Sequence, residues 1–170
     1  MSKMFAFGIV DPSQYRFLAA DQGGTATLDR PDVDTETEHP VKDEAQTTFA
    51  SLGLSPELLE SISAVGYEIP STIQERVIPS MLDGNDVIAQ AQTGSGKTAA
   101  FGLPIIEKID QKRREVQALI LCPTRELAIQ VSEALHKYGR HKRVETLPIY
   151  GGQPYERQFR GLQRGVHIVV

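Results

Sequence analysis

Apolar positions are spread unevenly along this 170-residue chain. Residues 4–10 form a short apolar run that ends at Asp11 and is too short to span a bilayer. One preceding lysine and no clear cleavage site argue against a secretory peptide, so the cytoplasm is the expected location. Residues 11–48 are poor in aliphatics, rich in Asp, Glu, Thr and Pro, and without period. Such a stretch cannot bury enough apolar surface to offset the entropy of ordering. Residues 1–48 are therefore expected to be a disordered acidic extension, with an ordered domain over 49–170.

From Phe49 onward the pattern becomes periodic. Over residues 55–66, Ser55 can cap a helix, Pro56 suits its first turn and Gly66 can end it. Leu58, Leu59, Ile62 and Val65 fall on one face of that helix. A second helix is predicted from Ser71 towards Gly84, with Pro79 as a kink. The period then changes. Short apolar runs at 86–90, 118–122, 144–150 and 166–170 read as strands, and helices are predicted over 98–109, 125–138 and 153–162 between them. Strand and helix alternating in this way argue for an α/β fold with a parallel sheet and crossover helices.

Charge divides the chain in the same place. Residues 1–48 carry four Lys or Arg against nine Asp or Glu, and residues 49–170 carry fourteen against thirteen. The near-neutral domain names no partner by its charge. The lone cysteine, Cys122, cannot form an internal disulfide and suits a reducing compartment. His136, His141 and His167 do not have the spacing of a metal site. The basic run His136-Lys-Tyr-Gly-Arg-His-Lys-Arg143 falls at a helix C-terminus, where cations offset the helix dipole, and reads as a solvated surface.

The chemistry centres on Ala91-Gln-Thr-Gly-Ser-Gly-Lys-Thr98, between a predicted strand and a predicted helix. Gly94, Ser95 and Gly96 allow successive backbone N–H groups to turn inward. Those donors, the following helix N-terminus and the Lys97 ammonium form a cradle for a triphosphate. Thr98 supplies a hydroxyl for Mg²⁺. Ala91 stands where the usual pattern has glycine, which is tolerable if its φ is negative. In a parallel sheet the C-terminal strand ends share one edge, where ligands collect. Pro123-Thr-Arg125 follows the second strand and Gly151-Gly152 the third. Arg125 can fork onto a phosphate, Thr124 can add a hydroxyl, and the glycines let a nucleic-acid backbone come close.

These loops, in this order, resemble the DEAD-box RNA helicase family, closest to its bacterial cold-shock type. AQTGSGKT matches the family's motif I, including its alanine, and Pro123-Thr-Arg-Glu-Leu-Ala128 matches motif Ia. Gly151-Gly152 matches the glycine doublet. Phe49 followed by Gly66-Tyr-Glu-Ile-Pro-Ser-Thr-Ile-Gln74 is similar to the adenine-reading Q motif. The family usually has Thr then Pro where this chain has Ser71 and Thr72. The resemblance implies a RecA-like P-loop domain that binds ATP and Mg²⁺. By it, Gln74 contacts the adenine, Tyr67 and Phe49 pack near the base, and residues 91–98, including Gln92 and Thr93, hold the phosphates. Lys97 and Thr98 then have catalytic roles, with Thr98 on the metal. Pro123, Thr124, Arg125, Gly151 and Gly152 contact an RNA single strand or short duplex through its backbone, regardless of sequence. No membrane association is implied.

Ser71 and Gln74 also spell a helix capping box, a structural role compatible with the adenine role. Asp43-Glu-Ala-Gln46 has three letters of the family's name but precedes the phosphate loop and reads as coincidence. The carboxylates, the Ser-Ala-Thr motif and the second RecA-like domain of the family have no match in this chain. The expected domain is thus truncated before the Walker B strand, and turnover by the 170-residue chain is not expected. Another P-loop ATPase, or a non-catalytic nucleotide-binding fragment, remains the alternative.

Overall fold

The computed structural model describes residues 47–170 and the backbone of residues 5–8. Its α/β architecture is a four-stranded sheet with helices. Strand β1 is Phe5–Gly8, β2 is Ala118–Leu121, β3 is Thr146–Leu147 and β4 is Ile168–Val169. They pair in parallel in the order β1-β2-β4-β3. The helices are α1 (Pro56–Ala64), α2 (Thr72–Leu82), α3 (Lys97–Lys108), α4 (Arg125–Tyr138) and α5 (Tyr155–Gln163), and Phe49–Leu52 forms a 3-10 turn ahead of α1. Among the described residues no helix is long and apolar enough to cross a membrane.

Helix α3 lies at the centre. Every residue from Ala99 to Ile106 is buried, and Phe101, Leu103 and Ile106 are fully enclosed with Ile78, Ile120 and Leu135. Helices α3 and α4 approach closely at Gly102, where an added Cβ would lie 2.6 Å from Leu135 Cδ2. Strand β2 alternates as a sheet covered mainly on one face should: Ala118 and Ile120 are buried, whereas Leu121 is 61% exposed. Helix α1 buries Leu58 and Ile62, but Val65 stands at its C-cap and is exposed, so its apolar face is narrower than expected. Pro79 is accommodated inside α2.

The sheet differs from the sequence expectation in three places. Residues 86–90, expected as the strand ahead of the phosphate loop, form no ladder, and Ile88 is 91% exposed. A strand exists only by pairing, and none of the described strands pairs with this stretch. Conversely, residues 5–8, inside the expected disordered extension, pair with β2 from Phe5 opposite Ala118 to Gly8 opposite Leu121. Residues 9–46, with the Asp43–Gln46 tetrapeptide, lie outside the described residues. The third and fourth expected strands are each confined to two residues, although Val170 N–H still donates to Leu147 O at 3.0 Å and Ile149 N–H to Val170 O at 2.8 Å.

The basic run at 136–143 is also not uniformly solvated. Lys142 is 7% exposed, and its Nζ donates to Glu107 Oε1 at 2.9 Å and to Glu107 O at 3.1 Å. The Ser55 N–H and hydroxyl donate to Glu107 Oε2 at 3.1 and 2.8 Å. One carboxylate therefore ties the cap of α1, the last turn of α3 and the loop after α4. Burial pushes the Glu107 carboxyl up, but the Lys142 and Ser55 bonds outweigh it and hold it below its ordinary 4.5. A carboxylate lowered in the folded state stabilises above the unfolded value, and that stability is lost as pH falls through the folded one. Thermal melts should show the parent losing stability below that range, and Glu107→Gln should lack this acid dependence. Lys142→Met, which strands the carboxylate, should cost about 3 kcal/mol or more at neutral pH.

Candidate nucleotide and RNA site

The glycines at 94 and 96 adopt φ of +82° and +85°, the left-handed region that side chains with a Cβ resist. They turn the loop so that Gly96 caps α3 and Lys97 opens it. Ala91 has no positive φ, since Arg143 alone among the described non-glycine residues does, so the missing first glycine is tolerated as expected. The N-terminal N–H groups of α3 face the loop with the positive end of the helix dipole. Lys97 Nζ donates to the carbonyls of Ala91 at 2.5 Å and Gln92 at 2.6 Å, which keeps the ammonium inside the turn. Thr98 sits in the first turn of α3, half-buried, and Thr93 is exposed on the loop.

Helix α2 clasps this loop from the side. Ser71 Oγ donates to Ser95 O at 2.8 Å, and Gln74 Nε2 donates to Gly96 O at 3.2 Å. Gln74 Oε1 accepts from Ser71 N–H at 2.9 Å, completing the capping box, and Gln74 is only 4% exposed. An amide can make four hydrogen bonds, so a lone pair and one N–H remain for a ligand. With residues 86–90 unpaired, the loop is positioned by the packing of α2 on α3 and by these two bonds rather than by the sheet. Ser95 Oγ is buried without a hydrogen-bond partner in the loop, a polar atom suited to a further polar ligand.

Behind the clasp, Phe49 and Tyr67 stack with ring centroids 6.1 Å apart, and Tyr67 OH meets Tyr138 OH at 3.0 Å. Burial and this bond push the Tyr138 hydroxyl well above its usual value. Phe49 is 5% exposed, so it supports Tyr67 and presents little surface itself.

A second cluster forms where β2 and β3 end. Thr124 caps α4, its Oγ1 accepting from Leu127 N–H at 3.2 Å, which leaves the hydroxyl proton free to donate. Arg125, exposed at the start of α4, places its guanidinium 5.8 Å from the Tyr150 ring centroid. A Cβ built on Gly152, whose φ is +85°, would lie 3.5 Å from Arg125 Nη2, and Gly151 faces open space. Pro123 is exposed beside them. The structure therefore joins Arg125 to Gly152, and separately Gln74 to the phosphate loop. Tyr150, Ser71 and Tyr138 take part without having been singled out as site residues. Only Ser71 carried a local signal, as the first member of the capping box.

A protein-family model described as DEAD/DEAH box helicase matches residues 71–170. The chain belongs to this family. It is 56% identical over 124 residues to the DEAD-box ATP-dependent RNA helicase CshA of Bacillus cereus, covering 73% of this chain and 24% of that protein. With the ATP-dependent RNA helicase DeaD of Klebsiella pneumoniae it shares 53% identity over 128 residues, or 75% of this chain and 20% of that one. The chain thus spans about a quarter of the length of the curated relatives it matches. Among solved structures, a DEAD box protein from the hyperthermophile Methanococcus jannaschii superposes with a TM-score of 0.69 at 41% identity, covering 72% of this chain and 34% of that one. S. cerevisiae Dbp5 bound to RNA and ADP BeF3 gives 0.65 at 35% identity, over 72% and 31%. The family and the RecA-like α/β fold expected from the sequence are borne out.

Among the described residues no cluster of three or more His, Cys, Asp or Glu could hold a metal by itself. Burial raises the Cys122 thiol above its ordinary value, which makes it a poor nucleophile. A Cβ on Gly96 would meet Gln74 Nε2 at 2.3 Å in a left-handed backbone. Gly96→Ala should therefore break the clasp and lower stability by about 2 kcal/mol, read as a fall in melting temperature. Gly151→Ala, facing open space, should melt close to the parent.

Proposed function

We propose that this chain is the nucleotide- and RNA-binding part of an ATP-dependent RNA helicase, which in the whole protein separates short RNA duplexes using ATP. The bond from Gln74 Nε2 to Gly96 O carries the reading, because it makes the adenine-reading amide and the phosphate loop one mechanical unit. Lys97 exchanges its loop carbonyls for phosphate oxygens, a stronger charge-assisted pairing. The first-turn N–H groups of α3 take further oxygens, and the Thr98 hydroxyl is the residue that would hold Mg²⁺. That ion would supply charge neutralisation at the phosphates. The spare lone pair and N–H of Gln74 match the adenine amino group and N7, and Tyr67 packs near the base.

On the neighbouring loops, Arg125 and Thr124 grip an RNA phosphate while Gly151 and Gly152 admit its backbone. Such contacts orient a strand without reading its sequence. Glu156, in the first turn of α5, is the one carboxylate after the glycine doublet, and no Asp-Glu-Ala-Asp segment is present to hold the metal or orient water. The 170-residue chain is accordingly a binder that does not turn over nucleotide.

Fluorescence titration with an N-methylanthraniloyl-labelled ATP tests the nucleotide site. Lys97→Ala should weaken binding about tenfold or more, and Gln74→Glu should lose the preference for ATP over GTP while keeping the Ser71 bond. Equal affinity of Lys97→Ala and parent would remove the reading, and RNA-stimulated phosphate release from the 170-residue chain would overturn its inactivity. For RNA, Arg125→Ala should lower affinity alike for all sequences and reduce the log–log salt slope by about 1.

A further inference from the structure

At the edge of the sheet where the strands begin, remote in function from the phosphate loop, lies an open pocket of about 850 Å³. It is walled by the segment before β2, the end of α4, the start of β3 and the turn between α5 and β4. Five cationic side chains line it: Lys112, Arg114, Arg140, Arg143 and Arg164. Glu145 is the one carboxylate among the lining residues, and none of the ion pairs between described residues engages any of the five cations. Gly165, with φ of +83°, allows the wall to close, since a Cβ there would come within 2.7 Å of Arg114 Cβ.

A buried donor belongs to the same wall. His167 lines the pocket and is 4% exposed. Its Nδ1 accepts from Glu145 N–H at 3.0 Å, so in the neutral ring the proton sits on Nε2. That Nε2 is buried with no hydrogen-bond partner. Leaving a buried donor unmade is costly, and groups of this kind commonly mark a ligand site. The five exposed cations, gathered without counter-charges, raise the local positive potential and attract an anion.

We propose that this pocket binds a compact oligophosphate anion, with two or more linked phosphates, among the five cations and against the wall to which His167 belongs. Guanidinium forks suit phosphate oxygens, and their number exceeds what one phosphate needs. A compact anion can sit among several cations at once, whereas an extended strand meets them one phosphate at a time. A phosphodiester in an RNA strand is flanked by sugar on both sides and is held at the rim. This site is separate from the proposed nucleotide and RNA contacts and does not depend on them.

The test is calorimetric titration of the full 170-residue chain carrying Lys97→Ala with inorganic pyrophosphate, so that the phosphate loop contributes least. One saturable site is expected, weakened about tenfold or more by Arg140→Gln with Arg164→Gln. Both arginines are exposed, so the double variant should keep the parent's circular dichroism and melting temperature. Lys137→Gln, an exposed change on α4 outside the pocket, should bind as the parent does. In ¹⁵N–¹H spectra the His167 Nε2 resonance should move on saturation. Absent saturable binding, undiminished binding by the double variant, an unmoved His167 signal, or displacement of pyrophosphate by oligoadenylate RNA would each overturn the proposal.

Discussion

The clasp of α2 on the phosphate loop is the interaction on which the rest of the site depends. Ser71 and Gln74 each donate to a loop carbonyl, at Ser95 and Gly96. Bonds of this kind contribute about 1 kcal/mol each. They hold the turn in shape, yet are weak enough to be exchanged for bonds to a ligand. Because Gln74 also receives the Ser71 N–H, a shift of its amide is felt at the start of α2 and at the phosphate loop together. In the proposed function, recognition of a base and grip on phosphate would be coupled through this one side chain.

Helix α3 gives this arrangement its rigidity. Its N-terminus opens from the loop, its middle is buried on all sides, and its last turn carries Glu107 to Lys142 and Ser55. A helix held at both ends and packed along its length transmits displacement poorly into bending, because close-packed interiors offer little free volume.

Two edges of the sheet carry opposite kinds of surface. Where the strands end, Arg125 lies beside the Tyr150 ring and Gly152, an open and nearly side-chain-free approach. Where the strands begin, cations converge around a recess with a buried imidazole donor in its wall. The first suits an extended backbone and the second a compact anion. The crossover helices produce this separation, since every parallel strand starts at one edge and finishes at the other.

Local patterns were sufficient for the parts of this protein that local forces build. Ser55 and Pro56 and the glycines at 66 and 84 marked helix ends, because caps and left-handed turns involve only a few neighbouring residues. Glycine spacing likewise gave the phosphate loop, and the motif order gave the family. Longer-range facts were not legible. The apolar run at 86–90 reads as a strand and is not one, while residues 5–8 do form one, because pairing depends on which strands meet. A basic run looked solvated, yet its Lys142 is buried against Glu107 thirty-five positions earlier. Hydrogen bonds and ion pairs across such distances exist only after the chain has folded. Sequence alone therefore determined the loop's chemistry, and tertiary packing decided what holds it in place.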